Sequence, residues 1–509
     1  MLAYRNKVAL GSQIGLITSI VILITNFFLR SYFVKIYGSD LTGYYLLIVQ
    51  LMGMLNLAEL GVGTALTYIL FKPLHDGSQS ELREYYYITK RIYNVISLSI
   101  LIIGVLLSAF LRKIVDADIP AEQLYIPWLI FVISTSLSYF YSSQSVLLTA
   151  DQNVYLVKFL TGLAKSFTYL IQIALMIYGV SFWMVCSVEL ISSIMLIIFF
   201  NMAIKNRYPY LFNFQLSTDK NRIRVIKDKI KKEIKFTFIH KIAAVAVFNT
   251  DYLIISVFLG LSMITSFSSY LMLIQALGFI IAAVASPLGA FIGATLHRHG
   301  VNKVVSVTSL FNSLFFITGA FCAYIFYLAS TAFISLWMGP SIILEQHTVL
   351  LLSINCFVLV ARTSFDATKI GLGYMADIEL PILEAVLNII LSLILVRFLD
   401  LDGVILGTII SNIIVVLLLK PIYLYKKALK QNRNLIIKEI LRLWIMVLGF
   451  IILTFFFLQT DKIVSDSWSS FIISVLKDSF LPLLLVFMCS LFDGNIRKLI
   501  MRRVSLKAS

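Results

Sequence analysis

Long apolar stretches separated by short polar segments run along almost the whole 509-residue chain. A helix needs about 20 mostly apolar residues to cross the ~30 Å hydrocarbon layer of a bilayer. Stretches of about that length lie at residues 13–36, 43–70, 92–111, 124–148, 154–178, 182–203, 236–259, 264–292, 305–328, 348–365, 380–398, 403–424, 440–458 and 469–491. The pattern predicts an all-α polytopic membrane protein with about fourteen transmembrane helices.

Composition agrees with this pattern. Hydrophobic residues make up 60% of the chain and charged residues 13%, and the mean hydropathy is +0.92. A soluble domain carries about 25% charged residues. The connections predicted to be external are short, near 112–123, 329–347 and 459–468. These features exclude a soluble enzyme and a receptor with a large external domain, and they disfavour a membrane enzyme with an external catalytic loop.

Lys and Arg residues in the connecting segments predict the orientation. If the N-terminus is cytoplasmic, 32 of the 42 basic residues fall on the cytoplasmic side and six on the external side. Cytoplasmic loops carry such an excess. We therefore expect both termini in the cytoplasm. The basic stretch 219–236 superficially resembles a nucleic-acid patch, but a basic segment between two spans is an ordinary topological signal, so no nucleic-acid partner is expected.

An internal repeat predicts two halves. The stretch from Tyr45 to Gly53 recurs from Tyr270 to Gly278, and Gly179-Val180 recurs as Gly403-Val404, at offsets of 225 and 224. Six spans separate the copies, which predicts parallel repeats in a pseudo-twofold arrangement. The predicted organisation is a six-helix bundle at 1–204, a basic cytoplasmic linker at 205–235, a second six-helix bundle at 236–425, and an added helix pair with a basic tail at 426–509.

Motifs of enzymes and metal sites are absent from the sequence. It has no GxxxxGK[ST] phosphate loop, no HExxH and no GxSxG, and its five histidines lack zinc-ligand spacing. We therefore predict no enzymatic activity, no metal site and no cofactor.

Charge inside the predicted spans carries the functional hypothesis, because an ionisable group there costs about 2.5–3.5 kcal/mol on insertion scales unless it faces a cavity or a partner. In the fifth span, Asp151, Lys158, Lys165 and Gln172 recur every seven residues and form one polar stripe, with Gly162 on the same side. The stripe is expected to face an aqueous lumen, where Gly162 would admit a bulky ligand. Alternatively, Asp151 and Lys158 only mark the cytoplasmic end of the span.

Other charged candidates are spread over several spans. The basic candidates for substrate binding are Arg30, Lys158, Lys165, Lys241 and Arg362. The acidic candidates for ion coupling or ion pairing are Glu59, Asp251 and Glu384, and Glu189 could also be an ion-pair partner. A lumen with more Lys and Arg than acid attracts an anion, and phosphate or diphosphate is a common large anion at membranes.

Short motifs resemble a known transporter family. The stretch 37–45 is followed by Asn56 to Thr67, in which Glu59 precedes Leu-Gly-Val-Gly. This start resembles the Wzx-type polysaccharide flippases of the multidrug/oligosaccharidyl-lipid/polysaccharide exporter (MOP) superfamily, where the acidic residue is usually Asp. Shorter stretches at 71–74, 249–251, 258–260 and 402–404 are also similar to that family.

The resemblance implies a flippase that moves an undecaprenyl-diphosphate-linked oligosaccharide across the bacterial cytoplasmic membrane for capsule, O-antigen or related polymers. It also implies alternating access with a cationic lumen and a proton or sodium gradient as the driving force. The expected partners are the lipid-linked substrate, membrane lipids and polysaccharide-assembly proteins such as a polymerase. A multidrug or small-molecule exporter of the same fold, or a lipid II or teichoic-acid precursor flippase, stays an alternative.

Overall fold

The computed structural model describes residues 2–56, 62–115, 119–211, 250–374, 377, 379–457, 463–494 and 496–497. These residues form an all-helical chain. The chain divides into two compact units, Met1–Ile264 and Thr265–Ser509. Two candidate site residues, Glu59 and Lys241, lie outside the described residues.

The first unit is built from helices that match the first predicted spans. They are α1 (Leu2–Leu55), α2 (Val62–His75), α3 (Gln79–Ser108), α4 (Leu111–Ile114), α5 (Ala121–Ala150), α6 (Val154–Ile177), α7 (Phe182–Arg207) and α8 (Thr250–Leu259). The start of α3 shows how the sequence sets a helix end, because the Ser78 side chain accepts a hydrogen bond from the Glu81 amide. A serine followed three residues later by glutamate is a capping sequence.

The second unit contains most of α9 (Leu261–Met338). It continues with α10 (Gln346–Leu372), α11 (Glu379–Asn412), α12 (Lys420–Tyr423), α13 (Arg433–Phe457) and α14 (Trp468–Phe492). Two π-helical segments, Ile413–Leu419 and Leu424–Ala428, flank α12. Pro421 in α12 cannot donate a backbone hydrogen bond and crowds the carbonyl four residues earlier, which accounts for an irregular helix at this point.

Three of the helices consist of two spans joined by a single non-helical residue. Gly38 divides α1, Gly300 divides α9 and Asp400 divides α11, each with a positive φ. Nine helical stretches of the described residues are long and apolar enough to cross a membrane. Dividing these three and adding α8 and α13 gives fourteen, so the predicted all-α polytopic fold is confirmed.

The backbone turns repeat along the chain. Residues with positive φ recur at offsets of 221 to 223 residues, close to the 224 and 225 seen in the sequence. The pairs are Gly38 and Gly260, Gly77 and Gly300, Gln152 and Gly373, and Gly179 and Asp400. A left-handed residue is needed wherever the chain reverses in so short a turn, and glycine adopts it most easily. The recurrence supports a tandem duplication, in which α5, α6 and α7 correspond to α10 and the two halves of α11.

Each unit has its own apolar core. In the first, side chains of α2, α3, α5 and α7 meet around Leu66, Tyr93, Tyr139 and Phe200. In the second, the core around Phe316 and Phe365 also includes Leu443 of α13 and Leu485 of α14, so the last two helices pack onto α9 and α10. The predicted linker at 205–235 lies mostly outside the described residues, so the predicted division at this segment stays a prediction.

Candidate functional site

A polar cavity of about 420 Å³ lies inside the first unit between α1, α5, α6 and α7. Of its sixteen lining residues, ten carry a hydroxyl or an amide, namely Thr18, Ser19, Asn56, Ser134, Thr135, Ser138, Tyr141, Thr161, Ser192 and Ser193. Three are charged, namely Lys158, Lys165 and Glu189. Pockets for small ligands usually have volumes of ~300–1,000 Å³ and few polar groups, so such a hydroxyl-rich lining favours a polar ligand.

Lys165 projects into this cavity and forms an ion pair there. Its Nζ donates to Oε1 and Oε2 of Glu189 at 2.9 and 3.1 Å. The ammonium also lies 4.9 Å from the ring centroid of Tyr169. The Lys165 side chain is 38% exposed and that of Glu189 is 11% exposed, so the amine faces the open space more than the carboxylate does.

Lys158 lines the same cavity about two turns closer to the start of α6. Its side chain is exposed, and its methylene groups lie near Gly15 of α1. Among the described residues it has no hydrogen-bond or ion-pair partner. Among the described residues that line the cavity, two lysines and one glutamate leave one net positive charge.

Only part of the predicted stripe faces this cavity. Asp151 lies in the turn before α6, where it accepts hydrogen bonds from the Asn153 amide at 2.6 Å and from the Tyr208 hydroxyl. Burial, and to a smaller extent the hydrogen bond with Asp151, raise the pKa of Tyr208. Gln172 is fully buried and donates to the backbone oxygen of Val185 at 3.3 Å. Both residues therefore fasten helix ends or neighbouring helices in this structure.

Gly162 lines the cavity but serves helix packing. A Cβ at this position would lie 2.5 Å from Cβ of Thr18, a distance that real side chains do not tolerate. The glycine allows α1 and α6 to approach closely, as small residues do between membrane helices. The expectation that Gly162 admits a bulky ligand has no support in this contact.

Arg30 and Asp251 lie in a second polar region of the first unit. The Arg30 guanidinium interacts electrostatically with the hydroxyls of Tyr252, Tyr169 and Tyr45. Asp251 is 8% exposed and interacts with the neighbouring Tyr252. Tyr169 lies beside the Lys165 ammonium and also interacts electrostatically with Arg30.

In the second unit, Arg362 and Glu384 contact each other. The Arg362 guanidinium lies 3.6 Å from Glu384 and 3.3 Å from Asp366, and it donates to Asn412 at 3.4 Å. Asp366 also pairs with Lys420. Two cations and two carboxylates compensate each other, so this network is neutral. It joins α10 to both halves of α11, the counterparts of α5, α6 and α7, which form the cavity of the first unit together with α1.

A groove of about 890 Å³ runs between α13 and α14. Its lining is mostly apolar, with Ile445, Met446 and Ile452 along α13. Asn434, Lys438, Arg442 and Asp493 give one end a polar character.

Solved structures identify the fold. The lipid II flippase MurJ in an inward closed conformation superposes with a TM-score of 0.65 at 16% identity, covering 96% of this chain and 99% of MurJ. An inward-facing multidrug resistance MATE transporter of the MOP superfamily gives a TM-score of 0.61 at 15% identity, covering 81% and 96%. The chain has the fold of the MOP-superfamily transporters.

A MATE transporter of Vibrio cholerae shares this MOP fold with a TM-score of 0.53 at 13% identity, over 84% of this chain and 99% of that one. No protein-family model matches the chain. No curated protein matches it. All three structures are of transporters, which agrees with the predicted multi-pass membrane protein.

The structure shows several charged residues in ion-pair clusters that the sequence analysis did not single out. Asp366 and Lys420 complete the neutral network, and Lys420 could have been noticed as the Lys-Pro pair at the end of the twelfth span. A third cluster joins Glu439, Arg442 and Asp493, with Arg442 bound to both carboxylates. The spacing of three between Glu439 and Arg442 is a helical ion-pair signal, but Asp493 lies too far along the chain for sequence to suggest.

Proposed function

We propose that the protein is a flippase that moves an undecaprenyl-diphosphate-linked oligosaccharide across the bacterial cytoplasmic membrane, with both termini in the cytoplasm. The product would supply a surface polysaccharide such as capsule or O-antigen. The observation that carries the proposal is the hydroxyl-rich cavity of the first unit, whose described lining carries two lysines and one glutamate.

The cavity fits the polar head of such a substrate. Lysine ammonium groups bind phosphate oxygens as point charges, and Lys158 has no competing partner among the described residues. Serine and threonine hydroxyls both donate and accept hydrogen bonds, as sugar hydroxyls do. A diphosphate attached to a sugar would therefore find partners for both of its parts.

The groove between α13 and α14 fits the lipid chain. Its sides are apolar along α13, and its polar end carries Lys438 and Arg442. A hydrocarbon chain cannot satisfy the polar groups of the cavity, whose burial against it would cost free energy, so a polyprenyl chain would lie along such an apolar groove instead. The alignment with MurJ covers 96% of this chain, and the alignment with the MATE transporter covers 81%. The alignment with the lipid II flippase is therefore long enough to include this helix pair.

Ion coupling stays part of the proposal. Alternating access driven by a proton or sodium gradient requires an ionisable group whose occupancy changes during transport. Among the acidic candidates, Glu384 pairs with Arg362, which favours a role in ion pairing, whereas Asp251 is buried beside Tyr252 and keeps both possibilities open.

A flippase for lipid II or a teichoic-acid precursor is the second candidate, since MurJ is named a lipid II flippase and superposes over nearly its full length. Such a substrate has the same diphosphate head and polyprenyl chain. Mass spectrometry of the lipid-linked intermediates that accumulate after depletion would separate the two candidates. A multidrug exporter is less favoured, because an organic cation would be repelled by the lysines of the cavity.

Substitution of Lys165 by glutamate tests the proposal. Because Lys165→Glu places two carboxylates where a phosphate would bind, we expect the flipping of a fluorescent polyprenyl-diphosphate sugar in proteoliposomes to fall by at least about tenfold. Lys426→Glu, which changes the same charge at an exposed position, is the matched control. Normal flipping by Lys165→Glu, at normal protein yield, would refute the anionic substrate.

A further inference from the structure

Glu189 is the counter-ion of Lys165 in the cavity. Both carboxylate oxygens contact the Lys165 ammonium, at 2.9 and 3.1 Å. Both side chains line the 420 Å³ cavity. An anionic ligand that enters the cavity therefore meets one free cation, Lys158, and one cation that already has a counter-ion within the described part of the chain.

The backbone at Glu189 is fixed independently of its side chain. Ser134 of α5 donates to the Glu189 carbonyl oxygen at 3.0 Å, and its hydroxyl also lies 2.8 Å from that of Ser193. These bonds connect α5 to α7 at two positions one helical turn apart, Glu189 and Ser193. The carboxylate can then leave Lys165 by rotation of its side chain, with no shift of the helix.

Donors for a displaced carboxylate are close by. Ser192 and Ser193 lie about one turn further along α7 and line the same cavity. Charged and phenolic groups around Glu189 come from each neighbouring helix, namely Lys158 and Tyr169 of α6, Tyr141 of α5, and Tyr45 of α1. A released carboxylate is therefore still within a polar environment.

We propose that Glu189 is a built-in counter-ion that occupies Lys165 in the empty protein and is displaced when a diphosphate head group binds. This inference rests on the proposed function and adds a residue that sets affinity for the head group. With Glu189 in place, binding requires the exchange of one anion for another at Lys165. The exchange weakens the complex and lets the head group leave on the opposite side of the membrane.

Loss of the Glu189 charge is expected to change the affinity for the head group in the opposite direction to loss of a residue that binds it. Removal of the Glu189 charge leaves Lys165 free for the ligand, so affinity rises while release becomes slower. A purely structural ion pair would behave differently, because its loss would disturb the cavity and weaken binding.

Binding of farnesyl diphosphate to the purified full-length protein tests this role. For Glu189→Gln we expect a dissociation constant lower by about threefold to tenfold than that of the unchanged protein, as for a partly exposed charge pair. Flipping in proteoliposomes is expected to be slower. Glu189→Asp, with a shorter carboxylate, is expected to give an intermediate affinity. Glu345→Gln removes one negative charge from an exposed side chain and controls for net charge.

Double substitution separates the possible outcomes. If Lys165→Met abolishes the gain in affinity given by Glu189→Gln, the counter-ion role is supported. Unchanged or weaker binding by a folded Glu189→Gln protein, or by Glu189→Asp where the first variant does not fold, would overturn the counter-ion role and leave the proposed function intact. Absence of diphosphate binding in the unchanged protein would instead overturn the proposed function, and the inference with it.

Discussion

At the scale of single residues, Gly162 has a packing role that can be tested separately from ligand binding. Gly162→Ala places a methyl group 2.5 Å from Cβ of Thr18. Overpacking of this kind costs about 1–3 kcal/mol, so we expect a lower melting temperature of the protein in detergent. Gly15→Ala, whose new Cβ would have its nearest neighbour at 3.9 Å, is the control and is expected to melt normally.

A double variant distinguishes packing from ligand approach. If α1 and α6 are forced apart, Thr18→Gly combined with Gly162→Ala is expected to restore much of the stability. Weaker diphosphate binding by Gly162→Ala at an unchanged melting temperature would instead support the original expectation that the glycine admits a ligand.

The sequence predicted individual cations better than their partners. Lys158 and Lys165 stand out because polar residues recur every seven positions in an apolar segment, and both reach the cavity. Glu189 lies 24 positions beyond Lys165, on the next helix, so only the fold brings the two together. Gln172 fits the same periodicity but is buried against α7, because a seven-residue repeat does not say which neighbour covers each turn.

At the scale of helices, the sequence predicted the positions of the spans, because each span requires about 20 apolar residues. It did not predict the irregular segments within the spans. The π-helical segments around Pro421 could not be predicted, since a proline in a membrane helix is compatible with several local adjustments. These segments belong to the stretch that carries Lys420, which pairs with Asp366.

The packing of α13 against α9 and α14 within the second unit depends on the cluster around Arg442. Its guanidinium contacts Glu439 and Asp493, and it donates to Ser309 and Ser313 of α9. Both carboxylates are largely buried. In a membrane the apolar surface of a helix gains little by leaving lipid, so polar contacts of this kind contribute to helix association.

Arg442→Leu is expected to destabilise this junction strongly. Removing one partner from a buried ion pair costs about 3–5 kcal/mol, because the remaining charges lose their counter-ion. We expect a lower melting temperature and greater proteolysis of the chain between α12 and α13. Lys438→Leu removes a positive charge from the exposed side of the same helix and is expected to leave both measurements unchanged.

Replacement of the whole cluster provides the converse result. A protein with Glu439→Leu, Arg442→Leu and Asp493→Asn carries no buried charge here, and its stability is expected to recover. The asparagine can still accept from the Ile496 amide, as Asp493 does at 3.1 Å. A triple variant as unstable as Arg442→Leu would mean that the cluster is needed for more than charge balance.

At the scale of the whole molecule, the two repeats have diverged in charge. The positive-φ turns of the first repeat recur about 222 residues later, so corresponding helices form the cavity of the first unit and the network of the second. The described lining of the cavity keeps one net positive charge, whereas Arg362, Lys420, Asp366 and Glu384 compensate one another. Corresponding helices of a duplicated fold thus carry different charges.

This difference separates Arg362 from the lysines of the cavity. Because Arg362 is already bound by two carboxylates, we expect Arg362→Gln to keep the affinity for farnesyl diphosphate within about twofold, while Lys158→Gln weakens it by about tenfold. Arg362→Gln is also expected to lower the melting temperature, and Arg362→Gln with Glu384→Gln to restore part of it. An affinity loss in Arg362→Gln equal to that in Lys158→Gln would return Arg362 to the set of substrate-binding residues.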